Sequence, residues 1–355
     1  MEGMFCDCRA LTSMNISHFD TSQVTSFYTL FYNCINLESL DVSLIDTSNV
    51  NNMMATFGYC HKIKSLDITH FKTQNVLTMN SMFTHCDNLE SLDVSSFDIS
   101  KVEDLSDMFS LCFLLTSLNL TNFVPSNAKN MAYMFYGCIG LTDLNIQNFD
   151  TSSVENMLSI FSSCNSLTSL DLSSFNTAKV KTFNSMFFDC YELKELDLSN
   201  FNTTSLIDAS AMFSNNKKLE YINFQKYNET NDISVSQILG ALPENIVICL
   251  DKNNEIDKFK FELNKKLCPS IYCFNDWKEK QKKIIYENST GADNFNNSKY
   301  ENNGTYYSDC PKGADFSIPE IEIYSLEYLF DNISNINNED VYQITTTKND
   351  KNTFN

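Results

Sequence analysis

A phenylalanine recurs every 26 residues, at Phe5, Phe31, Phe57, Phe83, Phe109, Phe135, Phe161, Phe187 and Phe213, and eight cysteines follow it three residues later, from Cys8 to Cys190. A fixed period of that length marks a stacked repeat. One such unit is too short to bury its own apolar face, so each winding must pack on the next. The array then grows as a rod with one core and long continuous surfaces. Surfaces of that kind are suited to binding.

The other columns of the period supply the geometry. Leu37, Leu89, Leu115, Leu141, Leu167 and Leu193 form one column, Leu40, Leu66, Leu92, Leu118, Leu144, Leu170 and Leu196 a second, and Val42, Ile68, Val94, Leu120, Ile146, Leu172 and Leu198 a third. The resulting L-x-x-L-x-L ends in an apolar-polar-apolar alternation, the period of a short strand with one buried face. Polar clusters such as Asp20-Thr21-Ser22 and Asp150-Thr151-Ser152 follow, with the residue types of turns and helix caps. Then Val154, Met157, Ile160, Phe161 and Cys164 sit at offsets of three, six, seven and ten, one face of a helix. Over so short a stretch the same spacing fits irregular turn, because stacking decides the outcome for marginal helices.

The runs LESLDVSSFD, NMAYMFYGC, LTSLDLSSFNT and NSMFFDC resemble the leucine-rich repeats of BspA-like surface proteins, in the 26-residue variety that ends in M-F-x-x-C. The expected fold is therefore α/β, a leucine-rich-repeat solenoid with a parallel sheet, short helices or turns on its convex side, and a small C-terminal α/β cap. Residues 1–225 form the solenoid, with an incomplete first repeat, 226–286 the cap, and 287–355 a largely disordered Asn-rich tail. Helices are expected at 234–242, 255–267 and 277–285, and strands at 246–250 and 271–274. Asn216, standing where a ninth cysteine is due, reads as the end of the array. The resemblance implies a cell-surface or secreted protein that contacts host, matrix or neighbouring-cell proteins.

Charge narrows the partners. A formal charge of −20 repels nucleic acid and anionic membranes at long range and favours basic partners. The longest apolar stretch, near 238–250, is broken by Pro243, Glu244 and Asn245, so no membrane span is expected. Residues 1–20 carry Glu2 and Asp7 and lack a basic start with an apolar core. Met1 also falls inside a repeat. The favoured expectation is an exported protein whose leader lies outside this chain, with a cytoplasmic scaffold for a basic protein as the alternative.

Cysteines in one column leave the backbone in parallel, so their Cβ atoms stay about 4.8 Å apart, beyond the ~3.5–4.5 Å that a disulfide needs. Buried free thiols that donate to loop carbonyls are expected. Cys249, Cys268, Cys273 and Cys310 lie outside the ladder; their spacing matches structural zinc sites poorly, and in a secreted chain they are candidate cap disulfides. The resemblance implies a cysteine-rich continuation of which Asp309-Cys310-Pro311 is a remnant.

The candidate binding face is the outward middle column of the strands: Asp41, Asp67, Asp93, Asn119, Asn145, Asp171 and Asp197. Consecutive acids at strand spacing should repel one another, which calls for solvation, cations or a basic partner. That face is short of aromatic anchors, Tyr221 being the one in the strand columns. No catalytic constellation, metal site or cofactor motif is visible. Of His18, His61, His70 and His85, only His18 and His70 share a column, and nothing joins a nucleophile to a base.

Overall fold

The computed structural model describes residues 1–230, 232–243, 246–250 and 258–259. The tail at 287–355, the strand at 271–274, the helix at 277–285 and all but Lys258 and Phe259 of the helix at 255–267 lie outside the described residues.

Seven three-residue strands carry the L-x-L motif: β1 (Ser13–Asn15), β2 (Ser39–Asp41), β3 (Ser91–Asp93), β4 (Ser117–Asn119), β5 (Glu195–Asp197), β6 (Tyr221–Asn223) and β7 (Val247–Cys249). All pairing is parallel and one period apart, as in Leu40 beside Met14 and Leu118 beside Leu92. The strands form three separate sheets, β1-β2, β3-β4 and β5-β6-β7. The equivalent residues at 65–67, 143–145 and 169–171 are not paired as strands. One continuous strand sheet was the expectation; the uninterrupted ladder lies elsewhere on the coil. It runs through single parallel bridges from Ser26 to Asn52, Thr78, Asp104, Asn130, Asn156, Thr182, Asp208 and Ser234.

The segment after each bridge is a ribbon of turns rather than a helix. In the second coil Leu30, Tyr32 and Cys34 donate their N–H groups three residues back, to Phe27, Thr29 and Phe31. The intervening Phe27, Thr29, Phe31 and Asn33 donate instead to Asn52, Met54, Thr56 and Gly58 of the next coil. A helix would spend every N–H on its own carbonyls; this ribbon sends half of them to its neighbour. The geometry requires left-handed backbone twice per coil, as at Thr29 (φ 51) and Asn33 (φ 62), Ala55 (φ 53) and Tyr59 (φ 61), or Ser81 (φ 56) and His85 (φ 57).

Inside the coils, the phenylalanine column from Phe5 to Phe213 stacks ring on ring, with centroids 5.3 to 6.1 Å apart. Those separations exceed the ~4.8 Å between parallel strands, so the rings are offset, the arrangement their quadrupoles favour. Beside them each thiol from Cys34 to Cys190 donates to a phenylalanine carbonyl of the preceding coil: Cys60 to Phe31 at 3.3 Å, Cys112 to Phe83 at 3.2 Å and Cys190 to Phe161 at 3.1 Å. Cys34 to Cys190 are buried and free, as expected. Burial pushes the Cys138 and Cys190 thiols up to about 12, which leaves no thiolate to react at neutral pH. A second ladder uses threonine. The Thr21 hydroxyl donates to the Asp46 carbonyl at 3.0 Å and accepts the Asp46 N–H at 2.8 Å, and Thr151 and Asn176 repeat the exchange.

The solenoid continues beyond the expected boundary at 225. Asn216 does not end it: its amide donates to the Phe187 carbonyl at 2.8 Å, in the thiol's place. Tyr227 continues the column of Phe175 and Phe201 and is buried. The segment 234–242, expected as helix, is another turn ribbon with left-handed Gln237 (φ 57) and Ala241 (φ 50), and the strand expected at 246–250 is β7. Phe259 then packs on Tyr227 with centroids 5.2 Å apart, while the Glu229 carboxylate accepts the N–H groups of Lys258 and Phe259.

Phe109 is fully buried between Phe83 and Phe135, at 5.8 and 5.7 Å. Phe109→Ala should cost about 3–5 kcal/mol. Urea denaturation followed by circular dichroism checks this, and a loss comparable with that of an exposed-site substitution would mean the column is misassigned.

Candidate functional site

The outward column is set by how each strand ends. The Asp41 carboxylate accepts the N–H of Ser43 at 3.0 Å, and the same contact two residues on recurs at Asp67 with Thr69 (3.2 Å), Asp93 with Ser95 (2.9 Å), Asp171 with Ser173 (3.0 Å) and Asp197 with Ser199 (2.9 Å). Asn119 and Asn145 do the same through their amide oxygens, to Thr121 at 3.2 Å and Gln147 at 3.4 Å. Each residue thus forms an Asx turn that leads the chain out of the strand. Aspartate and asparagine substitute for each other in this column because the turn needs one side-chain oxygen, which both supply. The second carboxylate oxygen is not used by the turn.

This arrangement holds Asp41, Asp67, Asp93 and Asp171 charged. Hydrogen bonds from the backbone and hydroxyl of Ser43 keep the Asp41 carboxyl below the usual carboxylate range, with His18 adding to the effect. The Thr69 hydroxyl and backbone do so for Asp67, beside His70, and those of Ser95 and Ser173 do so for Asp93 and Asp171. The two histidines of one column therefore flank the row. The Asp171 carboxylate also accepts the Gln147 amide at 3.1 Å. Asp41 and Asp67 are exposed and Asp93 is half-buried, so these three present charge at intervals of one coil.

Some expected features are placed differently. Tyr221 is buried and supplies no surface anchor. The exposed aromatic character lies on the turn ribbon, where Tyr28 is open to solvent and Tyr32 meets Tyr59 edge to face at 5.3 Å. Cys249 is disulfide-bonded; Cys268, Cys273 and Cys310 lie outside the described residues.

The remaining two histidines come together. His61 Nδ1 lies 2.6 Å from one oxygen of Asp87, and His85 Nδ1 lies 3.3 Å from the other. Comparison of like with like along the columns missed this cluster. Its signal is in the period all the same: His61 and Asp87 stand 26 residues apart, and His85 precedes Asp87 by two. Among the described residues it is the group of His, Cys, Asp and Glu side chains close enough to share an ion.

Residues 1–117 and 112–227 match the family described as "Mycoplasma protein of unknown function, DUF285". No curated protein matches the chain. Solved structures do, among them that of an LRR protein of Leptospira interrogans, at 14% identity over 66% of this chain and 71% of that one, with a TM-score of 0.29. Among the described residues no helix is long and apolar enough to cross a membrane.

Because the carboxyls of the row have lower pKa values folded than unfolded, their contribution is complete above the unfolded value near 3.8 and is lost as pH falls through and below it. Burial raises Asp107 and Glu220, which act in the opposite sense, but they are outnumbered. The urea midpoint should hold steady above about pH 5 and drop below about pH 4. A combined Asp41→Asn, Asp67→Asn and Asp93→Asn variant, which keeps the turn oxygens, should fold normally at neutral pH and show a shallower acid loss. An unchanged acid profile in that variant would place the titrating groups elsewhere.

Proposed function

This chain belongs to the family described as "Mycoplasma protein of unknown function, DUF285", and from that premise we propose that it is a non-enzymatic protein-binding solenoid of the BspA-like kind, displayed at the cell surface or secreted. Its partner is a protein with a basic contact surface, drawn from host, matrix or neighbouring cells. The observation that carries the reading is the row from Asp41 to Asp197, whose carboxylates are aimed by Asx turns, with those of Asp41, Asp67, Asp93 and Asp171 held charged by the same hydrogen bonds. Single exposed charge pairs contribute little. A row of them on one rigid rod engages a partner several times over, and avidity multiplies weak contacts. The chain's net charge of −20 adds long-range attraction for a basic partner.

The disulfide at Cys249 favours an oxidising compartment. The free thiols from Cys34 to Cys190 are compatible with it, since burial raises their pKa values and keeps them out of reach. Free cysteines in such number are also what a reducing cytoplasm would hold, so an intracellular scaffold for a basic protein is the second reading.

Two measurements test these readings. Labelling of intact cells with a membrane-impermeant reagent should tag the protein; labelling only after lysis would end the surface reading. The purified chain should bind at least one immobilised basic matrix protein in a salt-sensitive manner, and the Asp41→Asn, Asp67→Asn, Asp93→Asn variant should lose most of that binding while keeping its fold. Equal binding by the variant would remove the row from the interface.

A further inference from the structure

We infer that His61, His85 and Asp87 form a binding site for a divalent transition-metal ion of the zinc class, on the rim where the third and fourth coils meet. One ligand atom from each side chain lies within 4.8 Å of the others. A zinc ion with Zn–N and Zn–O distances of about 2.0–2.2 Å sets its ligands roughly 3.4 Å apart. The observed contacts of 2.6 Å and 3.3 Å between the imidazoles and Asp87 are both shorter than that value. An ion therefore needs the ligand atoms to part, by roughly 0.8 Å at the shorter contact, which small side-chain rotations supply. Two imidazole nitrogens and one carboxylate oxygen suit zinc, cobalt, nickel or copper; calcium and magnesium prefer all-oxygen shells.

The backbone beneath the three side chains is fixed. The thiols of Cys60 and Cys86, next to His61 and His85, are buried and bonded to the carbonyls of Phe31 and Phe57. His85 is held in the left-handed conformation (φ 57) while its N–H donates to Ser110 at 2.8 Å, and the Asn88 N–H ties the two segments together through the His61 carbonyl at 3.1 Å. The Tyr59 ring lies 4.5 Å from the His85 ring, and the Phe113 ring 6.4 Å from it. Those rings limit rotation of the imidazole. The ligand side chains are a quarter to a third exposed, at 31%, 24% and 28% for His61, His85 and Asp87. The remaining coordination positions of an ion thus open to water or to a donor group from a partner.

A purely structural hydrogen-bond role does not call for two histidines. Within the column of His85, the contact between neighbouring coils elsewhere joins an amide to a carboxylate, Asn33 to Asp7 and Asn215 to Asp189. Asn33 (φ 62) and Asn215 (φ 66) occupy the column of His85 in the same left-handed conformation, and Asn165 occupies the column of His61. The fold accepts asparagine in both columns, and among the described residues this rim alone brings two imidazoles to one carboxylate.

Those asparagines also supply the control. The full-length chain, stripped with a chelator, is titrated calorimetrically with zinc and spectroscopically with cobalt(II), beside the His61→Asn, His85→Asn double variant. The wild type should take up one equivalent more than the variant, or bind it at least about tenfold more tightly, with a cobalt spectrum free of sulfur-to-metal charge transfer. Thermal unfolding should rise on zinc addition in the wild type and stay flat for this site in the variant. Identical titrations for the two proteins, a thiolate band, or equal affinity for calcium would each overturn the assignment.

Discussion

Everything in this solenoid depends on the sharing of backbone hydrogen bonds between coils in the turn ribbon. Four N–H groups per coil, those of Phe27, Thr29, Phe31 and Asn33 in the second, reach the carbonyls of the next coil. The cost is two left-handed residues per coil, about 1–2 kcal/mol each where they are not glycine. The four bonds contribute about 0.5–1.5 kcal/mol each, so the backbone terms nearly cancel. Burial decides: each coil adds a phenylalanine, a cysteine and several leucine, valine or methionine side chains to the core, at about 1.5–3 kcal/mol for each large one. The ribbon fixes the spacing at which the rings of Phe83, Phe109 and Phe135 can meet.

That order of dependence explains why the ladder through Ser26, Asn52 and Thr78 runs unbroken to Ser234 while the strand sheet is interrupted at 65–67, 143–145 and 169–171. The strands follow the ribbon. Where a strand is not paired, coil contact persists through the ribbon, the stacked rings and the thiol-to-carbonyl bonds. The Thr47 hydroxyl, bonded to the Lys72 carbonyl at 3.0 Å, adds a further link across the first gap.

The inward half of the coil was legible in the sequence because burial repeats the same chemical demand at each winding. Phe, Cys and Leu recur in their columns, and a register of 26 residues is enough to place them. The ribbon was not legible. Its apolar offsets of three, six, seven and ten fit a helix equally well, and its left-handed positions carry Thr29, Ala55, Ser81 and Leu111 rather than the glycines that usually flag such backbone. The end of the array was misjudged for a related reason. Asn216 differs from cysteine in size and polarity, yet its amide N–H makes the same bond to the carbonyl behind it, so the winding goes on.

The candidate sites show the same split between position and role. The place of the Asp and Asn row followed from alternation in the strand. Its role did not, since the Asx turn appears only when the backbone two residues on is seen to donate. Once that bond is recognised, the interchange at Asp93, Asn119, Asn145 and Asp171 separates two functions in one side chain. The turn oxygen is required by the fold, and the second oxygen of an aspartate is not, so it can take other partners, as that of Asp171 takes the Gln147 amide. The rim at His61, His85 and Asp87 follows the same logic at a point where no turn demands a particular side chain. Because the backbone already joins the coils there, the rim residues are released from structural duty, and a solenoid of this kind can change its chemistry one rim at a time without disturbing the stack.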